Sequence, residues 1–140
     1  MTSPIKIIVA GGRDFDDWEY LYDTLDNVIC APIEVLMGLG HPVTGEIPTE
    51  TPKVQIVSGG AKGADALGEE WSRVDGHDLI VFPADWEKHG KAAGAIRNKQ
   101  MAEYADVLVA FWDGKSKGTK NMIDTALSEG LDVHIYRYSK

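Results

Sequence analysis

One cysteine, Cys30, stands in 140 residues, so no disulfide can form within the chain. That suits a reducing compartment. Following Val28 and Ile29, Cys30 reads as a small packing residue rather than a reactive thiol. Long apolar runs are missing too. None nears the roughly 20 residues that a membrane span requires, and a strand is reached by Ile5 with no signal-peptide pattern before it. The expectation is a soluble, cytoplasmic protein. Positive charge is scarce: 14 Lys and Arg stand against 22 Asp and Glu, for a net charge of −8. Broad binding to nucleic acid needs a surplus of cations and is not expected, although a local basic pocket is compatible with this balance. The four histidines, His41, His77, His89 and His134, show no HxH or HExxH spacing and no partner cysteines, so no metal is expected. Among them only His89 sits where a base is worth testing. Internal repeats, low-complexity tracts, a Walker GxxxxGK[ST] run and a strict GxGxxG run are all absent.

What the chain does have is a short apolar run that stops at glycine, three times over. Ile5 to Ala10 ends at Gly11-Gly12, Val54 to Val57 at Ser58-Gly59-Gly60, and Asp106 to Trp112 at Asp113-Gly114. Runs apolar on both faces predict buried parallel strands. Helical stripes follow them: Trp18, Leu21, Tyr22, Leu25, Val28 and Ile29, opened by an Asp16/Glu19 start signal; then 63–74, stopped by Gly76; 94–104; and 119–128, stopped by Gly130. Two further strands are predicted at Leu79–Phe82 and Val133–Tyr136, and residues 84–93 read as a polar loop. The alternation implies one α/β domain, a doubly wound, mainly parallel sheet of five or slightly more strands with helices on both faces. Residues 31–53 interrupt it. Proline and glycine punctuate this irregular insertion, Ile33–Met37 suits a short strand or a helical turn, and its role is functional, interfacial or mobile.

In such a sheet the strand-to-helix junctions share one edge, where ligands bind. Glycines let the backbone approach a ligand, and helix N-termini offer free N–H groups to anions. Arg13, in Gly11-Gly12-Arg13-Asp14, is suited to pairing with a phosphate; Asp14 is suited to holding Arg13 or accepting from a ribose hydroxyl. Ser58-Gly59-Gly60-Ala61-Lys62-Gly63-Ala64-Asp65 has the composition of an N–H nest at a helix mouth, with Asp65 in the first turn. Gly114-Lys115-Ser116-Lys117-Gly118-Thr119 is a second phosphate-loop candidate or a surface loop. Arg97 and Asn98 open a helix within reach of the same edge, and Trp86 suits either stacking on a nucleobase or covering the core rim.

Together these segments resemble the SLOG superfamily, which contains DprA-type DNA-processing proteins and LOG-type phosphoribohydrolases, and more narrowly its small stand-alone branch related to YspA and YpsA. Gly11-Gly12-Arg13-Asp14-Phe15, Ser58 to Asp65, Pro83-Ala84-Asp85-Trp86, Gly90 to Gly94 and Arg97 to Met101 carry the resemblance. It implies a Rossmann-like sheet whose glycine loops bind nucleotides or their derivatives, and a functional arginine at Arg97. The chain departs from the LOG pattern PGGxGTxxE, because Met122 stands where the glutamate should be. A thioether can neither pass a proton nor stabilise an oxocarbenium-like charge.

Three functions follow as expectations. The first is binding of a nucleotide or an ADP-ribose-like molecule by Gly11, Gly12, Arg13, Asp14, Ser58, Gly59, Gly60, Gly63, Asp65, Arg97, Asn98, Gly114, Lys115, Gly118 and Thr119, as a sensor, carrier or sequestering protein. No further cofactor is required. The second is hydrolysis of an N-glycosidic bond, with Arg97 and either Asp65 or Asp124 as catalytic candidates. The third is DprA-like binding of single-stranded DNA, which the acidic balance disfavours. The resemblance also implies a homo-oligomer.

Overall fold

Gly11, Ser58, Val81, Trp112 and Arg137 end five strands that run side by side in one direction. A computed structural model describes residues 4–38 and 53–139. The strands are β1 (Ile5–Gly11), β2 (Val54–Ser58), β3 (Asp78–Val81), β4 (Val107–Trp112) and β5 (Asp132–Arg137), in the order β3-β2-β1-β4-β5. Every pairing is parallel, with Ile7 opposite Ile56 on one side and Val107 on the other. The helices are α1 (Trp18–Gly38), α2 (Ala64–Val74), the single turn α3 (Trp86–His89), α4 (Ala93–Tyr104) and α5 (Lys117–Ser128). This is the Rossmann-like α/β architecture that the alternating pattern predicts.

Alternate side chains of β1 serve two separate cores. Ile7 and Val9 pack with Phe15, Leu21 and Leu25 and with Trp71 of α2. Ile8 and Ala10 pack with Met101 and Ala102 of α4 and with Met122, Ile123 and Ala126 of α5. Two helices therefore cover each face, which is why the strands are apolar on both sides. Gly68 lets α2 lie close against β1, since a β-carbon there would stand 2.7 Å from Val9. Gly76 ends α2 with the His77 N–H bonded back to the Ser72 carbonyl at 2.8 Å, and Gly130 ends α5 with Leu131 bonded to Ala126 at 3.0 Å.

Three local expectations are corrected. Helix α1 begins one residue later than the Asp16 signal suggests, with Asp17 as its cap: its carboxylate accepts from the Tyr20 N–H at 3.1 Å and its carbonyl from the Leu21 N–H at 3.1 Å. The helix then continues to Gly38, past Ala31-Pro32, although proline has no N–H for the ladder. Residues 84–93 are not wholly loop, because Asp85 accepts from the Lys88 N–H at 3.0 Å and nucleates α3, followed by a 3-10 turn at Gly90–Ala92. The insertion expected at 31–53 is thus helical as far as Gly38, and its remainder from 39 to 52 lies outside the described residues, as does the Cys30 side chain.

Candidate functional site

The strand order reverses between β1 and β4, where the connections leave for opposite faces and a crevice opens at the carboxyl edge. A cleft of about 370 Å³ lies there, with Ala10, Met101 and Met122 among its walls. A second lobe of about 650 Å³ adjoins it toward β3. Arg13, Ala61, Trp86 and Arg97 line both lobes and form the waist between them.

Each waist residue is set by the packing behind it. Phe15 is buried, stacked on Phe111 at 4.6 Å and edge-on to Tyr138 at 4.9 Å, which anchors the first loop and leaves Arg13 exposed at the rim. The α3 turn holds Trp86 over the opening, 54% exposed. Arg97, in the second turn of α4, donates from Nη1 to the Gly59 carbonyl at 2.6 Å and from Nε to Asn98 Oδ1 at 3.0 Å. Burial lowers the Arg97 pKa; the Asp65 carboxylate opposes this and Arg13 adds to it. Among the described residues, Nη2 makes no hydrogen bond.

The second glycine loop is not an open nest. The Gly60 N–H donates to Ser58 Oγ at 3.0 Å and the Ala61 N–H to Asp65 Oδ2 at 3.4 Å. Ser58 is fully buried and its hydroxyl donates to Glu69 at 2.7 Å. The carboxylate of Asp65 occupies the place where an anion was expected. It is 6% exposed, and burial raises its pKa to about 6, against the lowering by the Ala61 and Gly59 N–H groups and Arg97. This loop holds an acid and aims an arginine.

Several other predicted residues serve the fold. Both polar groups of Gly12 are engaged: its N–H donates to the Phe111 carbonyl, and its own carbonyl accepts from Phe15 and Ala64, all at 3.2 Å. Gly63 lets that contact form, because a β-carbon at its φ of +80° would collide with the Gly12 carbonyl. Gly11 lines the cleft, but a β-carbon there would meet Ala64 at 2.8 Å. Asp14 neither holds Arg13 nor lines the cleft; it accepts from the Tyr138 hydroxyl at 2.6 Å, which pushes the Tyr138 pKa further in the direction that burial already raises it. Gly114 packs under Arg137, and the Lys115 N–H donates to Asp113 at 2.8 Å, so neither lines a lobe. Asp124 is removed from the catalytic candidates, since it pairs with Lys120 at 2.9 Å on the exposed side of α5. Gly118 and Thr119 do line the cleft; Thr119 N–H and Oγ1 lie 3.4 and 3.1 Å from the capping Ser116 Oγ.

Lys117, part of the predicted second phosphate loop, lines the first lobe, as do Lys91 and Asn121, which the sequence reading does not assign to the site. The spacing of Lys117, Gly118 and Asn121 puts them on one helical face, a signal available once α5 is taken to start at Lys117. Lys91 carries no comparable signal. Among the described residues, no three His, Cys, Asp or Glu side chains are grouped to hold a metal ion, and no helix is long and apolar enough to cross a membrane.

Residues 45–89 match the family model described as the YspA, cpYpsA-related SLOG family. The chain is 40% identical over 135 residues to the Gene 61 protein of Mycobacterium phage D29, covering 91% of this chain and 93% of that protein. Its fold is similar to that of DNA processing protein A (DprA) from Streptococcus pneumoniae, with a TM-score of 0.61 at 18% identity. That match takes in 94% of this chain and only 50% of DprA, so the chain spans about half of that protein.

Proposed function

The chain belongs to the YspA, cpYpsA-related SLOG family, and from that premise we propose that it binds a nucleotide or a nucleotide-derived, phosphate-bearing small molecule in the two-lobed cleft. One observation carries the reading. In a chain of net charge −8, the two lobes gather five cations, Arg13, Lys62, Lys91, Arg97 and Lys117, against a single carboxylate, Asp65. That concentration of positive charge beside an exposed tryptophan suits a ligand with an anionic part and a flat aromatic part. Arg13, Arg97, Lys117 and the start of α5 take the phosphates; Trp86 takes the base. The second glycine loop contributes through Asp65 and Gly59, which orient Arg97.

The test is a thermal-shift and calorimetric panel of nucleotides and nucleotide sugars. At least one is expected to raise Tm, with the shift lost in Arg97→Ala and reduced in Arg13→Ala. A flat panel sinks the reading.

Asp65 favours a second reading, N-glycosidic hydrolysis. A buried carboxyl raised to about 6 beside an arginine is the kind of group that passes protons near neutral pH. Release of free base, abolished in Asp65→Asn and Arg97→Ala with the fold intact, supports the enzyme; binding without release leaves a carrier or sensor. A DprA-like role on single-stranded DNA predicts a gel shift that fades with salt. The homo-oligomer expected of the family is measured by light scattering.

A further inference from the structure

Resting on the nucleotide-binding reading, we infer that Asn121 is a specificity residue whose amide is held with its NH₂ donors toward the ligand, and so selects a phosphate oxygen at the α5 side of the cleft. A chain of forced choices carries this. A guanidinium has donors and no acceptor, so the atom of Asn98 that faces Arg97 Nε at 3.0 Å must be its oxygen. The other end of the Asn98 amide is then its NH₂. That group meets Asn121 at 3.0 Å, so the Asn121 atom there must also be oxygen. Ordinarily the two ends of an amide are hard to tell apart, but one arginine settles both residues in turn. With its oxygen turned to Asn98, the Asn121 amide is fixed in orientation, and both hydrogens of its NH₂ are free.

Asn98 is 6% exposed and fixed at both ends, whereas Asn121 is exposed and lines the first lobe. Asn121 lies three and four residues beyond Gly118 and Lys117, so its NH₂ shares a helix face with a lysine. An acceptor beside a lysine is best supplied by a phosphate oxygen. The relay also joins the second glycine loop to α5, since the same Arg97 donates to the Gly59 carbonyl.

The test uses protein labelled with ¹⁵N-asparagine, whose side-chain NH₂ signals come only from Asn27, Asn98 and Asn121. Titration with ADP and with pyrophosphate is expected to shift the Asn121 pair. Asn121→Ala is expected to weaken ADP binding about tenfold, the loss of one charge-assisted hydrogen bond. Asn121→Asp keeps an acceptor for Asn98 but turns a carboxylate oxygen to the ligand, and is expected to weaken binding further. Circular dichroism of the free variants should match wild type; Asn121→Ala leaves the buried Asn98 NH₂ without its partner and is expected to lower Tm, whereas Asn121→Asp keeps the acceptor and should stay near wild type, so its loss of binding is not a loss of fold. If wild type binds ADP while the Asn121 signal stays still, or if Asn121→Ala binds within twofold of wild type, this inference is overturned and the nucleotide reading stands. If wild type binds no nucleotide, both fall.

Discussion

Asp65 shows how a residue can be placed by its neighbours against its own preference. Its folded pKa of about 6 lies above the ordinary value of 3.8, with burial as the largest cause. The folded state therefore holds the proton more tightly than the unfolded chain does. Asp65 contributes most to stability below about pH 4, loses that contribution as pH rises to about 6, and changes little above. Asp65→Asn should remove this decline, so urea melts should find the variant more stable than wild type at pH 7 and little changed at pH 4. A variant less stable at pH 7 would mean that the N–H bonds and Arg97 outweigh burial. Gly59 gives a complementary case. Its φ lies outside the left-handed region, so alanine fits the backbone, but the methyl would stand 2.6 Å from Arg97 Nη1 and 2.9 Å from Asp65 Oδ2. The flexible guanidinium is the part that yields. Gly59→Ala should cost about 1 kcal/mol or less in stability while weakening ADP binding by about tenfold, as calorimetry would show.

Among the elements, the inner strands β1 and β4 are the most legible, because burial on both faces leaves an unbroken apolar run. Helix starts were less so. Asp16 and Asp17 offer the same carboxylate, and only the backbone path puts Asp17 at the first turn of α1. The turn at Trp86 is hidden in the sequence, because a single helical turn has no periodicity to detect. At the start of α5, Ser116 Oγ lies 3.4 Å from the Thr119 N–H and 3.1 Å from its hydroxyl. Ser116→Ala should lower stability by about 1 kcal/mol, the usual worth of an N-cap, seen as a lower urea midpoint. Gly63→Ala should cost more, on the order of 1–3 kcal/mol, because it strains the backbone and separates the first loop from α2. A near-neutral Gly63→Ala would contradict the packing of Gly12 on that helix.

For the whole molecule, the two lobes separate two kinds of recognition. Trp86 overlooks both, while the α5 residues line only the first. Stacking a base on an aromatic ring is worth about 1–3 kcal/mol. Trp86→Ala should therefore weaken ADP about tenfold or more and leave pyrophosphate nearly unchanged; equal losses for both would show that the ring does not read a base. Mass action sets the size of the stabilisation: a ligand at 100 times its Kd adds about 2.7 kcal/mol to the folded state. In a chain of this length that should raise Tm by on the order of 10 °C.

The amino-acid order alone determined that the strands would lie mainly parallel and that three glycine-rich strand ends would share an edge, because alternation and burial are local properties of a chain. It also brought Arg13 and Arg97 forward as residues of that edge, and left Trp86 between stacking on a base and covering the core rim. Which N–H groups would remain free was decided only by the tertiary structure. Hydrogen-bond donors are claimed by whichever acceptor lies nearest in space: Ser58 and Asp65 took those of Gly60 and Ala61 in the second loop, and the Phe111 carbonyl took that of Gly12. The same competition turned Asp124 toward Lys120 and Asp14 toward Tyr138, and it left Asn121, unmarked in the sequence, facing the cleft.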